Sequence, residues 1–173
     1  MTTEEKYQQY KLLHKNFSDT YAKVYKHVMD FYPQPQKFIR EATPQIDSYI
    51  DKFSDYHHPP DKDDSFEDVV YFARNFKDFA SNANGMFEEY KGLHTESGNY
   101  IKTIFKLKEK NADTLEGSAD YIRLIPVLSK LITGFERIKQ KTDEAAKNLC
   151  QLQAEWGSLK EKMNPDKPTI WPQ

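Results

Sequence analysis

Apolar residues in the first stretch of the chain recur at Tyr10, Leu13, Phe17, Tyr21, Val24, Val28 and Phe31, in steps of three and four. Such steps follow the turn of an α-helix and place every one of these side chains on one face. Thr2 with Glu5 three positions on has the form of a capping box, and Pro33 and Pro35 stop the pattern. A first helix is therefore expected over about residues 3–31. The second stretch carries Phe38, Ile39, Ala42, Ile46, Tyr49, Ile50, Phe53 and Tyr56. Pro44 interrupts it, and Thr43-Pro44 has the form of an N-cap followed by a first helical residue. Residues 36–56 are expected to be one kinked helix or two short ones, ended by His57-His58-Pro59-Pro60 and an acidic loop over 61–64.

The third stretch presents Phe66, Val69, Ala73, Phe76, Ala80, Ala83, Phe87 and Tyr90, with small and large residues alternating as interlocking helices prefer. Its face weakens around Gly92 and Gly98 and resumes at Ile101, Ile104 and Leu107, so a helix to about residue 110 with a defect near Gly98 is expected. The fourth stretch is the most regular. Tyr121, Leu124, Leu128, Leu131, Phe135, Ile138, Thr142, Ala145, Leu149, Leu152, Trp156, Leu159 and Met163 keep one face without a missed step. That implies a helix of roughly 45 residues, on the order of 65 Å long, with a separate or kinked first turn at Pro126 and an end at Asn164-Pro165. Strand patterns are absent.

The expected fold class is all-α: an elongated antiparallel bundle of three to four long helices with coiled-coil-like packing. The bundle would occupy residues 1–163 and leave 164–173 as a Pro-rich tail. Composition adjusts this picture in two ways. Eleven Tyr and eleven Phe predict a core packed by rings. A formal net charge of −2 argues against a nucleic-acid partner, which calls for a basic stripe and a basic balance. The single cysteine, Cys150, allows no internal disulfide, and a charged N-terminal stretch without an apolar core reads as no secretion signal. No run of 18 apolar residues exists to cross a bilayer. A cytoplasmic location is the expectation.

Candidate chemistry is sparse. His57 and His58 near Asp61, Asp63 and Asp64 are imidazoles and carboxylates of the kind that bind zinc, but adjacent histidines before two prolines match no ligand spacing, and a solvated loop explains them. Glu-x-x-His pairs, which build di-iron bundles, do not occur; Asp55-x-x-His58 comes nearest and runs off the helix end. Cys150 lies beside Leu149, far in sequence from any histidine, so it reads as a small residue at a core edge rather than an activated thiol. No Gly-rich phosphate loop or nucleophile elbow is present. No cofactor or metal is expected, and the chain is expected not to be an enzyme.

Two stretches carry more information. Residues 100–110 set Lys102, Lys106, Lys108 and Lys110 against one acid, Glu109, beside Ile101, Ile104, Phe105 and Leu107. A basic amphipathic helix of this kind suits an anionic membrane or an acidic partner, although a charged solvent face on a bundle helix is the simpler reading. Residues 121–135 are the most apolar part of the chain, where Ile122, Ile125, Val127 and Ile132 add a second apolar face. Such a helix is either covered within its bundle or touches something outside it. Taken together, Ile101, Lys102, Phe105, Lys106, Lys108, Lys110, Ile122, Ile125 and Ile132 form a candidate partner surface at one end of a hairpin. The leading expectation is a non-enzymatic helical interaction or scaffold protein that binds a protein partner or a second copy of itself. The alternative is a peripheral membrane-binding, membrane-shaping or pore-forming module acting through the basic, apolar tip.

Overall fold

Prolines decide where the helices break, and the apolar faces decide what packs together. The computed structural model describes residues 1–54, 64–110 and 115–163. It contains α1 (Thr3–Phe31), α2 (Pro33–Ser54), α3 (Asp64–Glu109), α4 (Leu115–Ile122) and α5 (Ile125–Met163), and no strand among the described residues. The chain is an all-α helical bundle. It divides into two compact units, Met1–Asp30 with Gly85–Asp143 and Phe31–Asn84 with Glu144–Gln173.

The capping box at α1 is present. Glu5 N–H donates to Thr2 Oγ1 at 3.1 Å, and Thr2 N–H donates back to Glu5 Oε2 at 3.3 Å. These bonds satisfy amides that the first turn leaves without helical partners. Pro126 breaks α4 from α5. A proline nitrogen cannot donate to the carbonyl four residues back, and Arg123 and Leu124 turn out of the helix, with Leu124 N–H bonding Tyr121 O at 2.9 Å. Leu124 O then accepts Leu128 N–H at 2.9 Å and starts α5.

Pro44 behaves otherwise. Helix α2 runs from Pro33 to Ser54 without interruption and carries Pro44 inside it. Thr43 is not an N-cap: its Oγ1 donates to Ile39 O at 2.5 Å, the bond of a threonine within a helix. The reason lies in the buried face. Phe38, Ala42, Ile46 and Phe53 are all buried, and a break at Pro44 would turn the last two out of the core. Helix α3 likewise shows no defect at Gly98. Gly85, Gly92 and Gly98 all face open space, so their cost to the helix is one of backbone entropy, which the buried positions on either side outweigh.

In the first unit, α3 runs antiparallel to α1 and α5. Tyr10 meets Tyr100 and Tyr21 meets His94, while Tyr90 meets Phe135 and Met86 meets Thr142. Phe135 is fully buried and forms ring contacts with Phe17, Tyr21 and Tyr90 from both neighbouring helices. Burying one such ring stabilises by about 1.5–3 kcal/mol. Leu93 lies over Gly134, close enough that an added Cβ would come within 2.7 Å of it. In the second unit, Trp156 of α5 stacks on Phe72 of α3 at 5.3 Å and meets Tyr49 of α2 at 5.8 Å. Phe38–Phe76 and Phe53–Phe66 set α2 antiparallel to α3.

The expected faces of α1 and α5 are buried or half-buried throughout. That of α3 departs at Phe66, which is 37% exposed, and is incomplete further on: Phe72, Phe79 and Met86 are also buried, because α3 is covered on two sides. Cys150 is exposed rather than at a core edge, since one residue beyond buried Leu149 turns it about 100° around the helix.

Gly92 is exposed with no atom in the way of a Cβ, so Gly92→Ala should raise unfolding stability by about 0.5–1 kcal/mol. Urea unfolding checks it; an unchanged or lower midpoint would mean that the glycine meets a need beyond helix formation.

Candidate interaction surface

The C-terminal end of α3 has two opposite faces within the first unit. Ser97, Tyr100 and Ile104 point inward and are buried. Lys102, Phe105 and Lys106 lie on the outer side and are exposed, Phe105 by 60%. Lys108 and Lys110 are exposed as well, and Ile101 is half-buried. Among the described residues, none of the four lysines forms an ion pair. Lys102 and Lys106 are one turn apart, a like-charge pair that costs an isolated helix about 0.2–0.5 kcal/mol. An exposed phenylalanine between unpaired cations is a surface suited to an anionic, partly apolar counterpart.

The apolar stretch around the start of α5 contributes less than its sequence suggests. Ile122 and Ile125 are half-buried and Val127 is 42% exposed, but Ile132 is 6% exposed and belongs to the core. Ile132 is therefore removed from the candidate surface; it follows buried Leu131 on the side of α5 that faces the other helices. This end is covered by α1, whose Tyr7 and Tyr10 meet Tyr121 at ring distances of 6.0 and 5.2 Å. His57, His58, Asp61, Asp63, the side chain of Asp64 and the Pro-rich tail lie outside the described residues.

Beneath the lysine face lies a group of residues whose role sequence reasoning missed. Tyr10 Oη and Tyr100 Oη are 3.1 Å apart, and Tyr100 Oη is 2.8 Å from His14 Nδ1. With the imidazole proton on Nε2, Tyr10 donates to Tyr100 and Tyr100 donates to His14. Burial pushes both phenols above their ordinary range, so both stay neutral hydroxyls. Burial also lowers His14, and the nearby charge of Lys108 adds to the effect. A second pair, Tyr21 Oη to His94 Nδ1 at 2.8 Å, joins α1 to α3. His27 Nε2 meets Asp143 Oδ1 at 2.7 Å and joins α1 to α5. Each of the three described histidines thus ties α1 to a neighbouring helix.

Tyr90 is the exception in this group. Its hydroxyl is buried without a hydrogen-bond partner among the described residues, and burial pushes it up to about 12. The only clue in the sequence was position: His14 follows Tyr10 by four residues and His94 follows Tyr90 by four, each on its helix's inner side. What each side chain bonds across helices depends on packing, which the periodicity of one helix does not contain.

Neutral phenols and a neutral imidazole form a hydrogen-bonded clasp between α1 and α3. Among the described residues, no three His, Cys, Asp or Glu side chains group as a metal site would require, and no helix is long and apolar enough to cross a membrane. No family model matches the chain, and neither a curated protein nor a solved structure does.

His14 is held below its unfolded value, so the unfolded chain binds more protons through that interval. Its contribution is present above about pH 6.5 and is lost as pH falls through the lower folded value. Urea midpoints should therefore fall between pH 7.5 and 5. In His14→Asn, whose amide oxygen keeps an acceptor for Tyr100, the fall should be smaller. Equal pH dependence in the two proteins would show that His14 does not supply it.

Proposed function

We propose that this chain is a non-enzymatic helical interaction protein that docks an acidic protein surface through Lys102, Phe105, Lys106 and Lys108. The observation that carries the reading is the exposed Phe105 among lysines that form no ion pair among the described residues. Rigid support comes from the clasp on the opposite side of α3, where Tyr100 bonds His14 at 2.8 Å. A surface held this way loses little side-chain and backbone freedom on binding beyond the lysines themselves. A scaffold-like role in the cytoplasm is part of this proposal, with the exposed thiol of Cys150 suited to a reducing setting.

A second reading has an observation of its own. Phe105 and Val127, both exposed in the same unit as the lysines, are the side chains that a peripheral membrane protein would insert between anionic headgroups. Each lysine near such a surface adds only about 1 kcal/mol, so this reading requires the apolar part to contribute.

The test is binding of fluorescent polyglutamate, beside co-sedimentation with phosphatidylcholine vesicles that contain or lack phosphatidylserine. Polyglutamate should bind at low salt and weaken about tenfold or more in Lys102→Glu/Lys106→Glu/Lys108→Glu. Lysine-dependent binding to the phosphatidylserine vesicles alone would transfer the surface to the membrane reading. Binding that ignores the charge reversal, or no binding to either probe, would overturn both.

A further inference from the structure

The N-terminal half of α3 presents a second exposed aromatic surface, in the other unit and of opposite character. Tyr71 is 64% exposed, with Val70 at 39% and Phe66 at 37%. Beside Tyr71 a groove of about 400 Å³ runs between α3 and α5, floored by Phe72, Ala154 and Leu159. A second hollow of about 400 Å³ lies along α3 itself and shares Tyr71 and Asp68 with the first. Four carboxylates, Glu67, Asp68, Asp78 and Glu155, line these hollows and the adjoining one, against two bases, Arg74 and Lys162. Lys162 is engaged by Asp68 at 2.6 Å; Glu67 is exposed and Glu155, which accepts from Gln151 Nε2 at 3.3 Å, is half-exposed, and neither forms an ion pair among the described residues.

This surface is the counterpart of the lysine face. One offers a protruding phenylalanine with cations beside it; the other offers an apolar groove with anions on its rim. Resting on the reading that the lysine face docks an acidic surface, we propose that the partner is a second copy of this chain. Phe105 of one copy enters the groove beside Tyr71 of the next, and Lys102 and Lys106 meet Glu155 and Glu67. Apolar contact supplies affinity, and the charges set orientation and exclude the reversed contact. Because the two surfaces differ, the association is head to tail, and each added copy leaves one lysine face and one groove open. The product is a ring or an open series that grows with concentration and dissociates with salt.

Sedimentation velocity across a concentration series at low and physiological salt tests this, using three full-length proteins whose helix content is checked by circular dichroism. The unaltered chain should form species larger than a monomer that dissociate as salt rises. Lys102→Glu/Lys106→Glu and Glu67→Lys/Glu155→Lys should each be monomeric alone, since each sets like charges against like. An equal mixture of the two should assemble again, because each altered surface then matches the other. Failure of the mixture to assemble, or assembly of either variant alone, would overturn the proposal. A chain that stays monomeric at every concentration yet binds polyglutamate through its lysines would overturn the second copy as partner and leave the proposed function standing. A monomer that does not bind polyglutamate would remove both.

Discussion

The contact on which the first unit depends is the buried chain of hydroxyls from Tyr10 through Tyr100 to His14. Apolar burial supplies most of the energy that brings helices together, but it is non-directional. A phenol taken out of water without a partner costs about 1–3 kcal/mol. Three polar groups from α1 and α3 satisfy one another only when Tyr10 and His14, one turn apart, straddle Tyr100. The network therefore fixes the relative height of the two helices, a quantity that ring packing alone leaves loose. Tyr21 with His94 and His27 with Asp143 repeat the device further along α1. The last pair is solvent-exposed on both sides and adds little.

This arrangement explains why α3 can present lysines on its outer face. Tyr100 and Ile104 anchor the inner side, and the residues between and beyond them, Lys102, Phe105 and Lys106, are turned outward by helix geometry. Had those cations faced a carboxylate across a helix boundary, as Lys141 faces Glu89 at 2.7 Å, they would be structural. Among the described residues they form no such pair. The contrast between Lys141 and Lys106, both on long helices of the same unit, separates a lysine that ties two helices from one exposed to solvent.

Element existence was legible because each long helix carries an apolar face at helical spacing over most of its length. The face from Tyr121 to Met163, which spans α4 and α5, and the capping box at Thr2 could be read position by position. Local breakers were less decisive. Pro126 opens a gap between α4 and α5, whereas α2 runs through Pro44, with Phe38, Ala42 and Ile46 buried around it. The division into two units escaped the sequence because α3 and α5 contribute to both, and a helix face has no mark where its neighbours change. The lysine stretch stood out by charge alone. Ile132 was misplaced because a second apolar face looks the same whether a helix or solvent lies beside it, and the tyrosine–histidine clasp was invisible because its partners are far apart in the chain.

The most direct test of this account is amide hydrogen exchange along α1 in two single-hydroxyl variants. Tyr100→Phe strands the Tyr10 hydroxyl and the His14 imidazole, and exchange in the first half of α1 should accelerate about tenfold or more. Tyr90→Phe removes a hydroxyl that has no hydrogen-bond partner among the described residues and should leave exchange unchanged or slower. Equal responses to the two substitutions would contradict the claim that this hydrogen-bonded clasp, rather than ring burial alone, holds α1 in place.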